Sequence, residues 1–185
     1  MTVSIVACGD SAKDWHKVPV DLSIGVNDCL KWGHHVDQLL LINAPGNFRP
    51  RKEKNFEDRL STIVKSRPEK VVTNSPDQWR RYFSKVEKLE LTRFHGVYVP
   101  GKVYYSKTSP FAAICYAVKL GAKDIILWGV DMVNHHRYRK GTKDGDFEVA
   151  EIMRLVRLLE ERGVRVYRGN NDSCLNLKVW KGIAQ

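Results

Sequence analysis

Short runs of Val, Ile and Leu recur along the chain with amphipathic stretches between them, and any fold must accommodate that alternation. The order is that of strands interleaved with helices, so the class is α/β. The runs predict strands over Val3 to Cys8, Leu22 to Val26, Gln38 to Ile42, Lys70 to Thr73, Gly96 to Val99, Asp124 to Gly129 and Val164 to Tyr167. Helices are predicted over Ser109 to Leu120 and Asp146 to Arg162, each with a polar start and a glycine stop, Gly121 and Gly163. In the second, Phe147, Ala150, Ile152, Met153, Val156, Leu158 and Leu159 form the stripe expected to face the core, with Glu148, Glu151, Arg154, Arg157, Glu160 and Glu161 on the solvent side. Neither a repeat nor a linker divides the chain, and 185 residues match one domain.

Four cysteines, Cys8, Cys29, Cys115 and Cys174, show no C-x-x-C pair and read as reduced thiols rather than a disulfide frame or zinc site. The longest apolar run is a few residues, and the N-terminus meets polar residues before a signal-peptide core forms. The expectation is therefore a cytoplasmic protein with no transmembrane segment, virus-encoded if its target is a viral genome. With 31 Lys and Arg against 21 Asp and Glu, the formal net charge is +10, which attracts polyanions or phosphorylated substrates. Oligomeric state is not readable.

In a parallel sheet, ligands bind beyond the carboxyl ends of the strands, so chemistry is sought just after each run. The first run ends in Cys8-Gly9-Asp10-Ser11-Ala12-Lys13. Gly9 permits a tight turn and close approach to a phosphate or sugar, and Asp10 or Ser11 can equally cap an ordinary turn. Neither G-x-G-x-x-G nor G-x-x-x-x-G-K-[ST] is present, which removes a dinucleotide fingerprint and a P-loop. Two further runs end in Asn27 and Asn43, amides that offer both a donor and an acceptor to a base edge or ribose. If the first three strands are parallel neighbours, Ser11, Asn27 and Asn43 lie along one edge.

The block from Lys107 to Met132 opens a small-residue helix with Thr108-Ser109 and continues through Gly121-Ala122-Lys123 and a buried strand to Gly129-Val130-Asp131. In motif order it resembles the bacterial sialyltransferases of the Campylobacter type and a related pterin-pyrophosphokinase-like group. The resemblance implies a single-domain, Rossmann-like, mostly parallel sheet flanked by helices, a variant of the GT-A-like transferase architecture. In those families the first strand runs into a Gly-x-Ser turn and later strands present asparagines to the nucleotide; Gly9, Ser11, Asn27 and Asn43 stand at matching positions. Gly9, Asp10, Ser11, Asn27, Asn43, Thr108, Ser109 and Gly129 are accordingly expected around a nucleotide-sugar donor. Independently of the resemblance, hydroxyls and free N–H groups at a helix start suit a phosphate, or else Thr108 and Ser109 simply cap. Asp131 can bind a sugar hydroxyl, act as a base, or cap a turn.

Next comes His135-His136-Arg137-Tyr138-Arg139-Lys140. Either histidine can take the proton from an attacking acceptor hydroxyl, with Arg and Tyr on the departing phosphate, or the run is a solvated basic loop. In the sialyltransferases a histidine from the region after this strand is the base, on a lid much longer than the stretch available here. A divalent metal is possible but not expected: Asp144-Gly145-Asp146 is a D-x-D tripeptide that reads as a helix cap, and His34-His35 and His135-His136 lack paired-ligand spacing. Arg49, Arg51, Lys52, Lys54, Arg80, Arg81, Arg137, Arg139 and Lys140, interleaved with Phe48, Trp79, Tyr82 and Tyr138, suit a phosphate backbone with bases to stack on. The expected function is a glycosyltransferase with a hydroxyl acceptor, a hydroxymethylpyrimidine in DNA being one candidate reached by base flipping. The alternatives are a pyrophosphokinase acting on a pterin-like alcohol and a non-catalytic nucleic-acid-binding module.

Overall fold

The structure is a computed structural model that describes residues 1–49, 58–132 and 141–182. Its centre is a seven-stranded sheet built from β1 (Thr2–Val6), β2 (Leu22–Val26), β3 (Gln38–Leu41), β4 (Lys70–Thr73), β5 (Val86–Lys88), β8 (Asp124–Trp128) and β9 (Arg165–Arg168). The order is β5-β4-β3-β2-β1-β8-β9, every neighbouring pair parallel. The remaining two strands, β6 (Leu91–Arg93) and β7 (Val103–Tyr105), form a separate parallel pair.

Parallel strands need both faces covered, and the strand residues alternate accordingly. Val3, Ile5, Ile24, Leu40, Val72, Ile125 and Leu127 join one core, against helices α3 (Ser109–Lys119) and α4 (Lys143–Glu160). Val6, Leu39, Leu41, Val71, Ile126 and Trp128 join the other, packed on Trp15, Phe48, Ile63 and Trp79 from 3₁₀ turns and the short helices α1 (Arg59–Lys65) and α2 (Pro76–Trp79).

Both glycine stops act as expected. Gly121 has φ +95, with Gly121 N–H on the Val118 carbonyl at 2.9 Å and Ala122 N–H on the Ala117 carbonyl at 3.0 Å. Gly163, at φ +75, repeats the arrangement, with Val164 N–H on the Leu159 carbonyl at 3.1 Å. Three expectations are corrected. Residues 96–99 form no strand; Gly96 sits at φ +86 in a turn between β6 and β7, a pair the hydrophobic pattern did not reveal. The last helix starts at Lys143, and its N-cap is Thr142, whose hydroxyl accepts Gly145 N–H at 3.2 Å; Asp144 and Asp146 lie inside the first turn. On that helix Phe147 is 47% exposed, whereas Glu148 is fully buried.

Candidate functional site

The chain leaves β1 toward β2 and later returns to place β8 on the other side of β1. The carboxyl ends of β1 and β8 are therefore the topological switch point, where an open parallel sheet forms its ligand crevice. Gly9 and Gly129 meet there, with Gly9 N–H on the Gly129 carbonyl at 2.9 Å. A Cβ on Gly129, at φ +70, would stand 2.6 Å from the Ala7 carbonyl oxygen, and one on Gly9 2.4 Å from an Asp131 carboxylate oxygen. Both positions need glycine for close approach, Gly129 to the Ala7 backbone and Gly9 to the Asp131 carboxylate and the Gly129 carbonyl.

Ser11 and Asp131 close the same junction. Ser11 N–H donates to Asp131 Oδ2 at 2.9 Å, the Ser11 hydroxyl donates to Oδ1, and Gly129 N–H donates to the Ser11 hydroxyl at 2.9 Å. Ser11 is 3% and Asp131 8% exposed, so the pair is an internal clamp across residues 120 apart in sequence. Asp10 is exposed beside it, in the 3₁₀ turn Asp10–Ala12. Sequence reasoning missed a third loop, the one after β9. Asn170 donates its amide to the Ser11 carbonyl at 2.9 Å, and the Ser173 hydroxyl donates to the Val130 carbonyl at 3.0 Å. The signal was there for Asn170, which follows the last predicted strand in Gly169-Asn170-Asn171 as Asn27 and Asn43 follow theirs, while nothing marked Ser173.

On the other side of β1 the site opens. β1, β2 and β3 are parallel neighbours, which puts the segments carrying Ser11, Asn27 and Asn43 on one edge. Asn27 adopts the left-handed conformation, φ +55, that asparagine tolerates. Its side chain meets Ser109 at the start of α3, with the amide nitrogen 3.2 Å and the amide oxygen 3.4 Å from the hydroxyl. Thr108 occupies the N-cap position yet makes no side-chain cap bond, and its buried hydroxyl has no partner among the described residues. The first N–H groups of this eleven-residue helix are thus left uncapped by a side chain, as an anion-binding helix start requires. The Asn43 side chain is exposed, and its carbonyl accepts Trp79 Nε1–H at 3.2 Å.

Beside Asn27, Arg59 makes a two-pronged pair with Asp28, one prong being Nε–H on Oδ2 at 2.8 Å, and the Cys8 thiol donates to Asp28 Oδ1 at 3.2 Å. Burial works against the Asp28 carboxylate, but Arg59, through its hydrogen bond and charge, and then the thiol hold its pKa below the usual value. Burial, followed by the charge of Asp28, raises the Cys8 pKa well above that of a free thiol.

The remaining expected residues divide by position. His135, His136, Arg137, Tyr138, Arg139 and Lys140, together with Arg51, Lys52 and Lys54, lie outside the described residues. Arg49 is exposed after the Pro45–Phe48 turn. Two of the stacking rings are corrected: Trp79 is 0% and Phe48 2% exposed, so neither presents a free face for a base, while Tyr82 is half-buried and packs edge-on against Trp79 at 6.0 Å. Asp144 pairs with Lys107 at 2.9 Å and Asp146 accepts Gly141 N–H at 2.9 Å. Among the described residues no group of three His, Cys, Asp or Glu side chains is arranged to hold a metal, and the His34 ring stacks on His16 at 3.6 Å. Two concavities, of about 290 and 420 Å³, lie at the amino ends of the strands, beside Ala122 and Val164 and beside Leu22 and Lys70, away from this edge. No helix among the described residues is long and apolar enough to cross a membrane.

No protein-family model matches the chain, and no curated protein matches it. Among solved structures it is similar to the sialyltransferase CstII from Campylobacter jejuni in complex with a substrate analogue, cytidine-5'-monophosphate. Identity is 17%, covering 95% of this chain and 84% of that one, with a TM-score of 0.54. It is likewise similar to the sialyltransferase CST-II in complex with trisaccharide acceptor and CMP, at 17% identity over 100% of this chain and 86% of that one, TM-score 0.55. At this identity the likeness establishes a shared fold, and it falls on the group whose motif order the sequence resembles.

Proposed function

We propose that the protein is a glycosyltransferase that takes a sugar from a nucleotide-sugar donor and transfers it to a hydroxyl acceptor. The observation that carries this reading is the Asn27–Ser109 contact at an uncapped helix start, on the carboxyl edge of a parallel sheet. It places an amide suited to a base or ribose beside hydroxyl and N–H groups suited to a phosphate. The structural neighbours, which were solved with CMP, support the choice of donor class.

In this reading Asn27, Asn43, Thr108 and Ser109 contact the nucleotide. Gly9, Ser11, Gly129 and Asp131 lock β1 to β8 and give that edge its shape, with Asp10 on its rim. His135 or His136, in the segment that follows β8, takes the proton of the acceptor hydroxyl as that oxygen attacks the anomeric carbon and the nucleotide leaves. Arg137, Tyr138 and Arg139 steady the leaving phosphate. The reading assigns no step to a divalent ion, and Asp144 and Asp146 contact Lys107 and the Gly141 N–H.

The test is incubation of the protein with a panel of nucleotide sugars and ATP, with saccharide or hydroxymethylated DNA acceptors, in EDTA or Mg²⁺, with products identified by mass spectrometry. A sugar mass added to an acceptor, persisting in EDTA, is the expected result. AMP release with diphosphate transfer to an alcohol would replace the reading with a pyrophosphokinase, and DNA binding without turnover would replace it with a binding module. Ser109→Ala and Asn43→Ala should each weaken nucleotide binding by about 1–3 kcal/mol, the value of one directed hydrogen bond on a polar or charged ligand. Unchanged affinity of both variants in titration calorimetry would move the donor elsewhere.

A further inference from the structure

We propose that Glu148 is a positioning residue for the phosphate end of the donor site, acting through the Ser106–Thr108 segment that leads into α3. The inference rests on the nucleotide-sugar reading and deepens it. Glu148 lies one turn inside α4, is 0% exposed, and is the carboxylate that the helical pattern assigned to solvent. Its Oε1 accepts the Ser106 hydroxyl at 2.8 Å, and its two oxygens share the Lys107 N–H at 3.2 and 3.3 Å. Burying a carboxylate is costly unless its hydrogen bonds offset the lost hydration, and here those bonds go to the Ser106 hydroxyl and the Lys107 N–H, which fastens that segment to α4.

The reason lies in the helix that follows. Three residues connect β7 to α3, and the last of them, Thr108, is extended at φ −120° and ψ 147° with no cap bond from its hydroxyl. An ordinary N-cap would fix the loop by engaging one of the helix's free N–H groups, of which Pro110 supplies none. Here those groups stay available to a ligand, and the segment is held from a different element. Lys107 reinforces the clasp, its ammonium 2.9 Å from Asp144 and 4.9 Å above the Phe147 ring, both on the first turn of α4. Glu148 therefore sets where the helix start points while leaving its donors open.

The experiment is calorimetric titration of the full chain and its Glu148→Gln and Ser106→Ala variants with nucleoside monophosphates and, separately, the corresponding nucleosides, below the melting transition of each variant. Cytidine-5'-monophosphate and cytidine form the first pair, followed by the uridine, guanosine and adenosine pairs. For the monophosphate that the wild type binds, Glu148→Gln should lose about tenfold or more in affinity and Ser106→Ala a smaller, measurable amount. Affinity for the matching nucleoside should stay within about twofold, because the sugar and base are held from Asn27 and Asn43. A lower melting temperature with unchanged monophosphate affinity, or equal losses for nucleoside and monophosphate, would overturn the positioning role and leave a structural carboxylate. Should Glu148→Gln fail to fold, Ser106→Ala decides alone, and an unchanged monophosphate affinity there overturns the proposal. A wild-type chain that binds none of these compounds would overturn the nucleotide reading itself, an outcome distinct from wild-type binding that the variants leave intact.

Discussion

Asp28 and Arg59 show how individual side chains around the open edge do different work from what their chemistry alone suggests. Their two-pronged pair anchors the start of α1 to the end of β2, and the Cys8 thiol adds a third contact to the carboxylate. Because the pair holds the Asp28 pKa below its ordinary value, its contribution to stability is complete above the carboxylate's unfolded pKa, near 4. It is lost as pH falls through the lower folded value. Denaturant melts between pH 7 and pH 2 should therefore show stability falling on the acid side, and Arg59→Ala should flatten that limb. The same variant should cost about 1.5–3 kcal/mol at pH 7, the range for a hydrogen bond to a charged partner. An acid limb identical in wild type and variant would assign the pH dependence to other carboxylates. Asp131 makes a parallel point: just past a buried strand it reads as a base, a sugar ligand or a turn cap, and each of its oxygens accepts a hydrogen bond from Ser11.

Among elements, the strands of four or more residues were legible, the edge strand β9 included, and the three-residue strands were not. β2 and β4 appear with the bounds read from their Val, Ile and Leu runs, and β8 differs only at Gly129, whose positive φ ends the strand. β5, β6 and β7 are three-residue strands with exposed members such as Glu87, Arg93 and Tyr105, too short for any hydrophobic period to register. Glu148 was misassigned for a related reason: periodicity counts apolar residues and cannot distinguish a solvated carboxylate from one buried on Ser106 and the Lys107 N–H. The contacts of the loop after β9 were missed because its anchors, Asn170 and Ser173, act through main-chain carbonyls 159 and 43 residues away, a relation that pairing across the sheet creates. The junction of β1 and β8 also supplies a prediction. Gly129→Ala should destabilise the chain by at least about 2 kcal/mol, since it imposes a left-handed conformation on an L-residue and drives its Cβ into the Ala7 carbonyl. Gly33→Ala, also at positive φ but in open space, incurs only the conformational part, so urea unfolding of the two variants separates strain from collision. Equal losses would mean that β1 and β8 separate freely at that point.

At the scale of the whole molecule, the α/β class was readable from alternation and the proposed donor edge from strand ends, whereas an acceptor is not encoded that way. The surplus of ten positive charges shows that anions are attracted without saying which. Several described acids are already paired, Asp124 with Arg165, Glu87 with Lys70 and Asp77 with Arg80, and two of the rings expected to stack on bases, Phe48 and Trp79, lie in the core. A nucleic-acid acceptor would thus depend on phosphate contacts, and its binding should weaken steeply and linearly in log salt, while a saccharide acceptor should show almost no salt dependence. The reacting end separates from the donor edge in the same way. If the base lies in the segment after β8, then whichever of His135→Ala and His136→Ala removes it should slow turnover roughly 10²–10⁴-fold, while nucleotide affinity, set by Asn27, Asn43 and Ser109, stays at the wild-type value. That variant should also lose the acid limb of the kcat/KM profile, because the proton acceptor that must be neutral in the free enzyme is gone. Two fully active variants would exclude histidine from proton transfer and leave the donor edge to be matched with a different base, whereas a joint loss of turnover and nucleotide affinity would mean that the segment belongs to the donor site itself.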